Sequence, residues 1–351
     1  MEHTLKLGKF SPKYPVIQGG MGIGISLANL AAAVSNAGGI GVISGIQLGF
    51  REKDFWTNSL NANREGIRKE IRKARELAKG GILGINFLTA MTQYTELVKT
   101  AVEEKIDFII SGAGLPLELP ALIKGSETLA IPIISSPKAL RVLLTRWLKR
   151  DEYIPPAVIL EGPKAGGHLG FSNAELASEP DLFELIKEVK KELTSFEEAN
   201  HCQIALIAGG GIFDGDDVKK ALESGADGVQ VGSRFAATLE CDADMTFKEL
   251  FVKSDAEDIV IIQSPVGMPG RAIRTPHIEK LEKLGRIPIK RCMNCLKTCD
   301  PRTTPYCISE ALVAAANGNL EEGLFFAGSN VSKITQIQTV EEVMQDLVSK
   351  L

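Results

Sequence analysis

The residues best suited to chemistry lie in the stretch Ala157–Phe171, which reads AVILEGPKAGGHLGF. Its opening apolar run predicts a buried strand, with Glu161 at the carboxyl end. Gly166 and Gly167 then form a loop with little side-chain volume, followed by His168, whose near-neutral ordinary pKa suits proton transfer. This arrangement indicates a flat ligand held close to the main chain beside an imidazole. The alternative is a structural histidine that hydrogen-bonds its own loop.

Two other segments offer groups for a flat ligand. The loop Gln18–Gly24 reads QGGMGIG; its glycines permit close backbone approach, and Met21 could lie against an aromatic ring. The alternative is a plain glycine-rich turn. Asn86 ends a later apolar run, and its amide carries a donor and an acceptor for the edge of a flavin or nucleobase. A helix-capping role is the alternative for Asn86.

Glycines also follow the last two apolar runs of the first 235 residues. Gly209, Gly210 and Gly211 are consecutive, and Gly232 precedes Ser233. Backbone N–H groups in loops of this kind, next to a helix N-terminus, bind phosphate. Two such loops at neighbouring strands predict a ligand that bears a phosphate.

The elements that must position these loops are eight short apolar runs, each followed by a helix-like segment. Runs that are apolar on both faces are typical of parallel strands covered on each side. Eight βα units predict an α/β fold, a TIM (β/α)8 barrel over residues 1–245, with its site at the C-terminal ends of the strands. The predicted strands are Pro15–Gln18, Gly39–Ile43, Ile82–Asn86, Phe108–Ser111, Ile131–Ser135, Ala157–Leu160, Ile204–Ala208 and Gly228–Val231.

The repeat stops after the eighth unit. Residues 246–351 predict a helical, cysteine-containing extension that packs on the barrel, with Ser264–Arg274 able to cover its mouth. Within the barrel, Ala174–Leu193 is predicted as one continuous helix.

Four cysteines of the extension are closely spaced, in the pattern C-x2-C-x3-C-x7-C. Soft thiolate ligands select zinc or iron–sulfur clusters. Zinc sites usually pair two C-x2-C knuckles, and only one occurs here. The pattern therefore favours a [4Fe–4S] cluster, with zinc or free or disulfide-bonded cysteines as alternatives. The candidate metal ligands are Cys292, Cys295, Cys299 and Cys307.

Composition excludes several function classes. The chain has 351 residues with 40 basic and 44 acidic side chains interspersed, so no basic patch predicts nucleic-acid binding. No apolar run approaches the roughly 18–20 residues that span a bilayer. Residues 1–9 carry no secretory signal pattern. We therefore expect a cytoplasmic protein that binds neither nucleic acid nor membrane.

The motifs together resemble a known family. Over about the first 240 residues they are similar, in order, to nitronate monooxygenases, formerly called 2-nitropropane dioxygenases. They equally resemble the flavin-dependent enoyl-acyl-carrier-protein reductases of bacteria. The segments that carry the resemblance are Pro15–Gly24, Gly84–Phe87, Gly112–Gly114, Glu161–Gly170, Ala208–Ile212 and Val229–Phe235.

The resemblance implies non-covalent FMN at the barrel mouth. Its phosphate would lie on the glycines after the seventh and eighth strands, and its ring near the first loop and Asn86. It also implies that His168 is the catalytic base or proton donor. The cofactor-binding residues expected on this basis are Gly20, Met21, Gly22, Asn86, Glu161, Gly166, Gly167, Gly209, Gly210, Gly211, Gly232 and Ser233.

The resemblance favours one activity and leaves others open. The favoured activity is oxidation of alkyl nitronates with O2. The alternative enzyme is an NAD(P)H-dependent flavin reductase of activated alkenes or quinones, for which an iron–sulfur cluster would be a coherent electron relay. An alternative outside catalysis is a flavin- or phosphate-ligand-binding protein. The expected partners are a small-molecule substrate and, in one reading, a second copy of the chain in a homodimer.

Overall fold

A computed structural model describes residues 4–351 of the protein. Residues 1–3, at the start of the segment predicted to carry no secretory signal, lie outside the described residues. Across residues 4–351 no helix combines the length and apolar character needed to cross a membrane.

The main sheet is a ring of parallel strands. Residues 4–351 form twelve strands: β1 Val16–Gln18, β2 Gly41–Ser44, β3 Leu83–Leu88, β4 Phe108–Gly112, β5 Leu129–Ile134, β6 Ala157–Glu161, β7 Gly167–His168, β8 Ala205–Gly209, β9 Gly228–Val231, β10 Ile259–Gln263, β11 Pro269–Ile273 and β12 Phe325–Phe326. Eight of these pair in the order β1-β9-β8-β6-β5-β4-β3-β2. A parallel bridge between Ile17 and Ile40 joins β1 to the start of β2 and closes the ring. The predicted (β/α)8 barrel is confirmed.

Helices surround the ring and continue into the extension. They are α1 Ala28–Asn36, α2 Ser59–Leu77, α3 Tyr94–Glu103, α4 Leu119–Ile123, α5 Pro137–Asp151, α6 Asn173–Ala177, α7 Leu182–Asn200, α8 Gly215–Glu223, α9 Ser233–Ala236, α10 Met245–Lys253, α11 Pro276–Leu284, α12 Ile308–Ala316 and α13 Val340–Leu347.

The prediction of one continuous helix over Ala174–Leu193 is wrong, because two helices, α6 and α7, occupy this segment and are separated by four non-helical residues, 178–181. The residue before a proline is disfavoured in the helical region, and Glu179, which precedes Pro180, has φ 47°. Asp181 then begins α7 by accepting hydrogen bonds from the N–H groups of Phe183 and Glu184, at 2.7 and 3.1 Å.

The barrel interior is a packed core at the end opposite the strand C-termini. Inward side chains such as Phe108, Ile110 and Ile159 fill it, and the N-terminal Leu5 and Leu7 pack against them. The barrel opens into a cavity towards the C-terminal ends of the strands, where enzymes with this fold carry their sites.

The extension differs from the predicted helical segment because it also contributes strands. β10 and β11 form an antiparallel pair, β12 pairs with β11, and β11 also pairs with β7, which belongs to the histidine loop. An apolar cluster that includes Ile23, Val266, Leu296 and Ile308 joins this sheet and α12 to the barrel mouth. The extension therefore forms one wall of the mouth.

Close packing of α1 against β2 gives a stability prediction. A Cβ on Gly41 would lie 1.8 Å from the carbonyl oxygen of Ala31, so Gly41→Ala should lower the free energy of unfolding by about 1–3 kcal/mol. Gly84, in the neighbouring strand, is the matched control, since its Cβ would meet nothing closer than 3.5 Å. Urea denaturation checks both variants, and an equal loss in the two would contradict this account.

Candidate active site

A cavity of about 240 Å³ opens at the C-terminal ends of the barrel strands. Predicted residues from five separate loops line this cavity together. Of the predicted catalytic and cofactor-binding residues, only Gly209 does not line it. Gly209 lies behind the wall, where its carbonyl oxygen accepts a hydrogen bond from the N–H of Gly162 at 2.8 Å. The predicted residues that line the cavity are Gly20, Met21, Gly22, Asn86, Glu161, Gly166, Gly167, His168, Gly210, Gly211, Gly232 and Ser233.

The first loop lies directly against β3. A Cβ on Gly20 would stand 2.4 Å from the Cβ of Asn86, so only glycine permits this approach. Asn86 lies within β3 and caps no helix, which rules out the alternative role for it. Its side-chain amide faces the cavity and makes no hydrogen bond within residues 4–351, so both its donor and its acceptor are available to a ligand.

The loop after β8 presents unpaired backbone donors. Gly210 and Gly211 have φ of 82° and 132°, which side chains other than glycine rarely adopt. The N–H groups of Gly211 and Ile212 have no hydrogen-bond partner within the described chain, and Lys164 lines the same part of the cavity. Buried N–H groups are nearly always paired, so these donors, with the cationic side chain beside them, fit a phosphate.

His168 is held at the side of the cavity by β7, which pairs with Gly270 of β11. Its Nε2 lies 2.7 Å from the Oγ of Ser264, and its ring packs edge-on against Phe326, with ring centroids 5.0 Å apart. Burial lowers the pKa of His168 to about 4, because a charged imidazolium is poorly solvated there. The imidazole is therefore neutral at pH 7.

Glu161, at the end of β6, responds to burial in the opposite direction. The residue keeps some accessible surface because it lines the cavity, but its carboxyl lies deep, and this burial raises its pKa to about 7. Within residues 4–351 its side chain has no hydrogen-bond partner. A buried carboxyl without a partner is suited to accept hydrogen bonds from ligand hydroxyl groups.

Arg271 of β11 holds the histidine loop in place. Its Nη1 donates to the carbonyl oxygens of Pro163 and Ala165, both at 2.6 Å. Burial lowers the pKa of the guanidinium, which nevertheless remains charged at neutral pH. Because the glycines of this loop contribute no side chains, hydrogen bonds from the extension fix its path.

Comparison with known proteins agrees with this geometry. The sequence model of the family described as "Nitronate monooxygenase" matches residues 3–350. The chain belongs to the nitronate monooxygenase family. It is 23% identical to a probable nitronate monooxygenase of Staphylococcus haemolyticus, over 97% of this chain and 94% of that protein. As a family member, the chain is a flavin-dependent oxidoreductase.

Two solved structures share the fold over nearly the whole chain. FabK from Thermotoga maritima is 28% identical, with a TM-score of 0.75 over 97% of this chain and 93% of that one. A nitroalkane oxidase from Streptomyces ansochromogenes is 20% identical, with a TM-score of 0.71 over 97% and 96%. The likeness at 20% identity shows the fold alone.

The predicted metal site is not supported by the structure. The four clustered cysteines line one small cavity beside the main one, yet no group of three or more His, Cys, Asp or Glu side chains is arranged to hold a metal ion in the described chain. All six cysteines are free, and burial raises the pKa of Cys295, and that of Cys307 to about 11. The spacing of the four clustered cysteines did not determine where their side chains lie. Cys292 is exposed, whereas Cys295, Cys299 and Cys307 are partly buried.

The structure also adds cavity residues that sequence reasoning missed. Lys164 immediately precedes the AGGH motif in the same loop. A search for a cationic side chain near the glycines predicted to bind phosphate would have found it. Leu296, Ile308 and Phe326 come from the extension, and no sequence signal associates them with the barrel mouth.

The hydrogen bonds of Arg271 predict that Arg271→Lys loosens the histidine loop, because a lysine ammonium cannot reproduce the planar guanidinium geometry. We expect faster amide hydrogen exchange in residues 164–168 and a loss of about 1–3 kcal/mol in the free energy of unfolding. Arg274→Lys is the control, because Arg274 pairs with Glu282 on the surface, at 2.6 Å. Equal exchange in the wild type and Arg271→Lys would contradict the role.

The raised pKa of Glu161 predicts a pH-dependent stability of the flavin-free protein. The folded protein retains a proton that the unfolded chain releases near pH 4.5, so this contribution is complete below pH 4.5 and is lost as pH rises through about 7. Glu161→Gln should therefore stabilise the protein at pH 8 by about 1–3 kcal/mol and change little at pH 4. Urea denaturation at both pH values checks this, and a pH-independent difference would refute it.

Proposed function

We propose that this chain is an FMN-dependent oxidoreductase that oxidises alkyl nitronates, with His168 acting at the substrate. The supporting observation is that unpaired backbone amides, a free Asn86 amide and a neutral imidazole line one cavity in a member of the nitronate monooxygenase family. FMN would supply the electron transfer between substrate and O2.

The residues present fit FMN at both ends of the cavity. The N–H groups of Gly211 and Ile212, with Lys164, would hold the phosphate. Glu161 would accept hydrogen bonds from sugar-alcohol hydroxyls, and the Asn86 amide would bind the polar edge of the ring. Gly20 and Gly22 would let the ring approach the backbone.

The chain's own contribution to the reaction is then hydrogen bonding to the substrate and exclusion of water. His168 is neutral and lines the cavity, so its ring can donate a hydrogen bond to an oxygen of the nitronate. Phe326 and Val266 shield this region from bulk water, which strengthens that hydrogen bond.

A second candidate is the reduction of an activated alkene with NAD(P)H. The substrate side of the cavity is lined by apolar side chains, among them Leu88, Met91, Ile133, Leu296 and Leu312. Such a wall favours a neutral substrate with an extended hydrocarbon part over a small anion. The 28% identity to FabK over nearly the whole chain is consistent with either candidate.

Anaerobic absorption spectra of the purified protein distinguish the candidates. Flavin bands that bleach with an alkyl nitronate and are indifferent to NADH and NADPH support nitronate oxidation. Bleaching by NADH or NADPH supports the reductase. Flavin bands that respond to neither would indicate a binding protein, and the absence of bound flavin would overturn the proposal.

The role of His168 is tested with His168→Gln, which should retain bound flavin but lose turnover by about 10²–10⁴-fold. His201→Asn is the control, since His201 ends α7 at φ 51°, far from the cavity, and asparagine tolerates this conformation. Turnover within a few-fold of wild type in His168→Gln would show that His168 does not take part.

A further inference from the structure

Gln47 lines the cavity and has no part in the function described so far. It follows β2, which ends at Ser44, whereas His168 follows β6. In the closed ring, β2 and β6 face each other across the barrel, with three strands between them in either direction. The Gln47 side chain is only 4% exposed, so its hydrogen bonds can be counted.

A backbone N–H fixes the orientation of the Gln47 amide through Asn63. The N–H of Gly49 donates to the Oδ1 of Asn63, a fully buried residue of α2, at 3.0 Å. Because a backbone N–H can only donate, the atom of Asn63 that faces it is the oxygen. The Nδ2 of Asn63 then donates its two hydrogens to the Oε1 of Gln47 and the Oε1 of Gln93, both at 3.0 Å. The opposite orientation of Gln47 would place two N–H donor groups against each other.

The Nε2 of Gln47 is thereby directed away from Asn63. It makes no hydrogen bond within residues 4–351, yet it is not among the fully enclosed side-chain atoms that lack a partner. It therefore keeps accessible surface, and the space that Gln47 borders is the cavity. An amide nitrogen has two hydrogens to donate and accepts none, so it is complementary to an oxygen of a ligand.

Gln47 lies on the substrate side of the cavity, away from the groups assigned to FMN. Asn86, which is assigned to the ring, pairs in register with Ser44, and Gln47 comes three residues after Ser44, beyond the strand ends. The neighbouring loop, after β3, contributes the apolar Met91, which bridges to Leu296 of the extension. Binding sites commonly combine an apolar wall of this kind with a few polar groups that orient the ligand.

We propose that Gln47 is a substrate-binding residue whose Nε2 donates a hydrogen bond to an oxygen of the substrate, while the apolar wall beside it holds the attached hydrocarbon part. The oxygen is that of a nitronate or of a carbonyl, the planar groups on which the two candidate activities act. The inference rests on the proposed function for the class of substrate. It is independent of His168, whose strand lies across the barrel.

Two unreactive ligands measure this contact without turnover. Butyrate has the planar pair of oxygens of an alkyl nitronate, and S-butyryl-pantetheine has a thioester carbonyl. Butyrate lacks the reactive carbon of a nitronate, and the thioester lacks the double bond of an activated alkene. Isothermal titration calorimetry of the full chain with its FMN gives the Kd of each. The ligand that wild type binds identifies the class of substrate, so a wrong assignment of the activity leaves this test intact.

Gln47→Met removes the amide and keeps a side chain of similar length. It should weaken the binding of butyrate about tenfold or more and that of S-butyryl-pantetheine about threefold to tenfold, because hydrogen bonds to charged oxygens are stronger. Bound FMN should be unchanged.

Gln93→Met is the matched control. Gln93 accepts the other hydrogen of the Asn63 amide at the same distance, 3.0 Å, but does not line the cavity. Its Kd values for both ligands should therefore stay within about twofold of wild type.

Three results would overturn the inference: equal Kd values in wild type and Gln47→Met, failure of wild type to bind either ligand, or loss of FMN from Gln47→Met, which would assign Gln47 to the cofactor. If Gln47→Met does not fold, Gln47→Asn decides the same question. Asparagine suits the φ of 54° at this position, and its shorter side chain cannot extend from Asn63 to the ligand. It should weaken both ligands as Gln47→Met does.

Discussion

The site depends on one interaction, the pairing of the two-residue strand β7 with β11. The loop that carries His168 is rich in glycine, so it can approach a flat ligand closely, but it has almost no side chains with which to hold its own shape. β11 supplies what is missing. It pairs with Gly167 and His168 along the backbone, and Arg271 bonds the carbonyl oxygens just before them. A loop suited to ligand binding thus becomes ordered through a segment about 100 residues further along the chain.

The same segment controls the electrostatics of the cavity. The extension lines the mouth with apolar side chains such as Phe326, which packs against His168, and burial shifts both His168 and Glu161 towards their neutral forms. A neutral imidazole has two unequal nitrogens, so its hydrogen-bond partner decides which one carries the proton. The burial that lowers the pKa of His168 therefore makes its hydrogen bond with Ser264 important, since a doubly protonated ring has no tautomer to be chosen.

Predictions from the sequence pattern were confirmed where interactions between residues close in sequence determine the structure. The eight apolar runs became the eight barrel strands, and the glycine loops lie at the strand ends, because both follow from residue type and short-range geometry. The prediction of a single helix over Ala174–Leu193 was wrong, although Pro180 in the sequence already indicated an interruption. β10, with the sequence IVIIQ, was equally readable as a strand, whereas the two residues of β7 are too few for any pattern. The cysteine spacing predicted a metal site, but spacing does not determine which way side chains point.

The sequence by itself determined the barrel and the positions of the site loops along it, and all but one of the catalytic and cofactor-binding residues that it predicted line the cavity. These follow from hydrophobic periodicity and from the fixed placement of strand ends in a parallel barrel. Tertiary structure alone decided how the extension returns to the mouth: Arg271 holds the histidine loop, Phe326 and Leu296 form a wall, and Ser264 bonds the ring of His168. Such contacts join residues roughly 100 to 200 positions apart, and no local preference encodes which distant surfaces will be buried together.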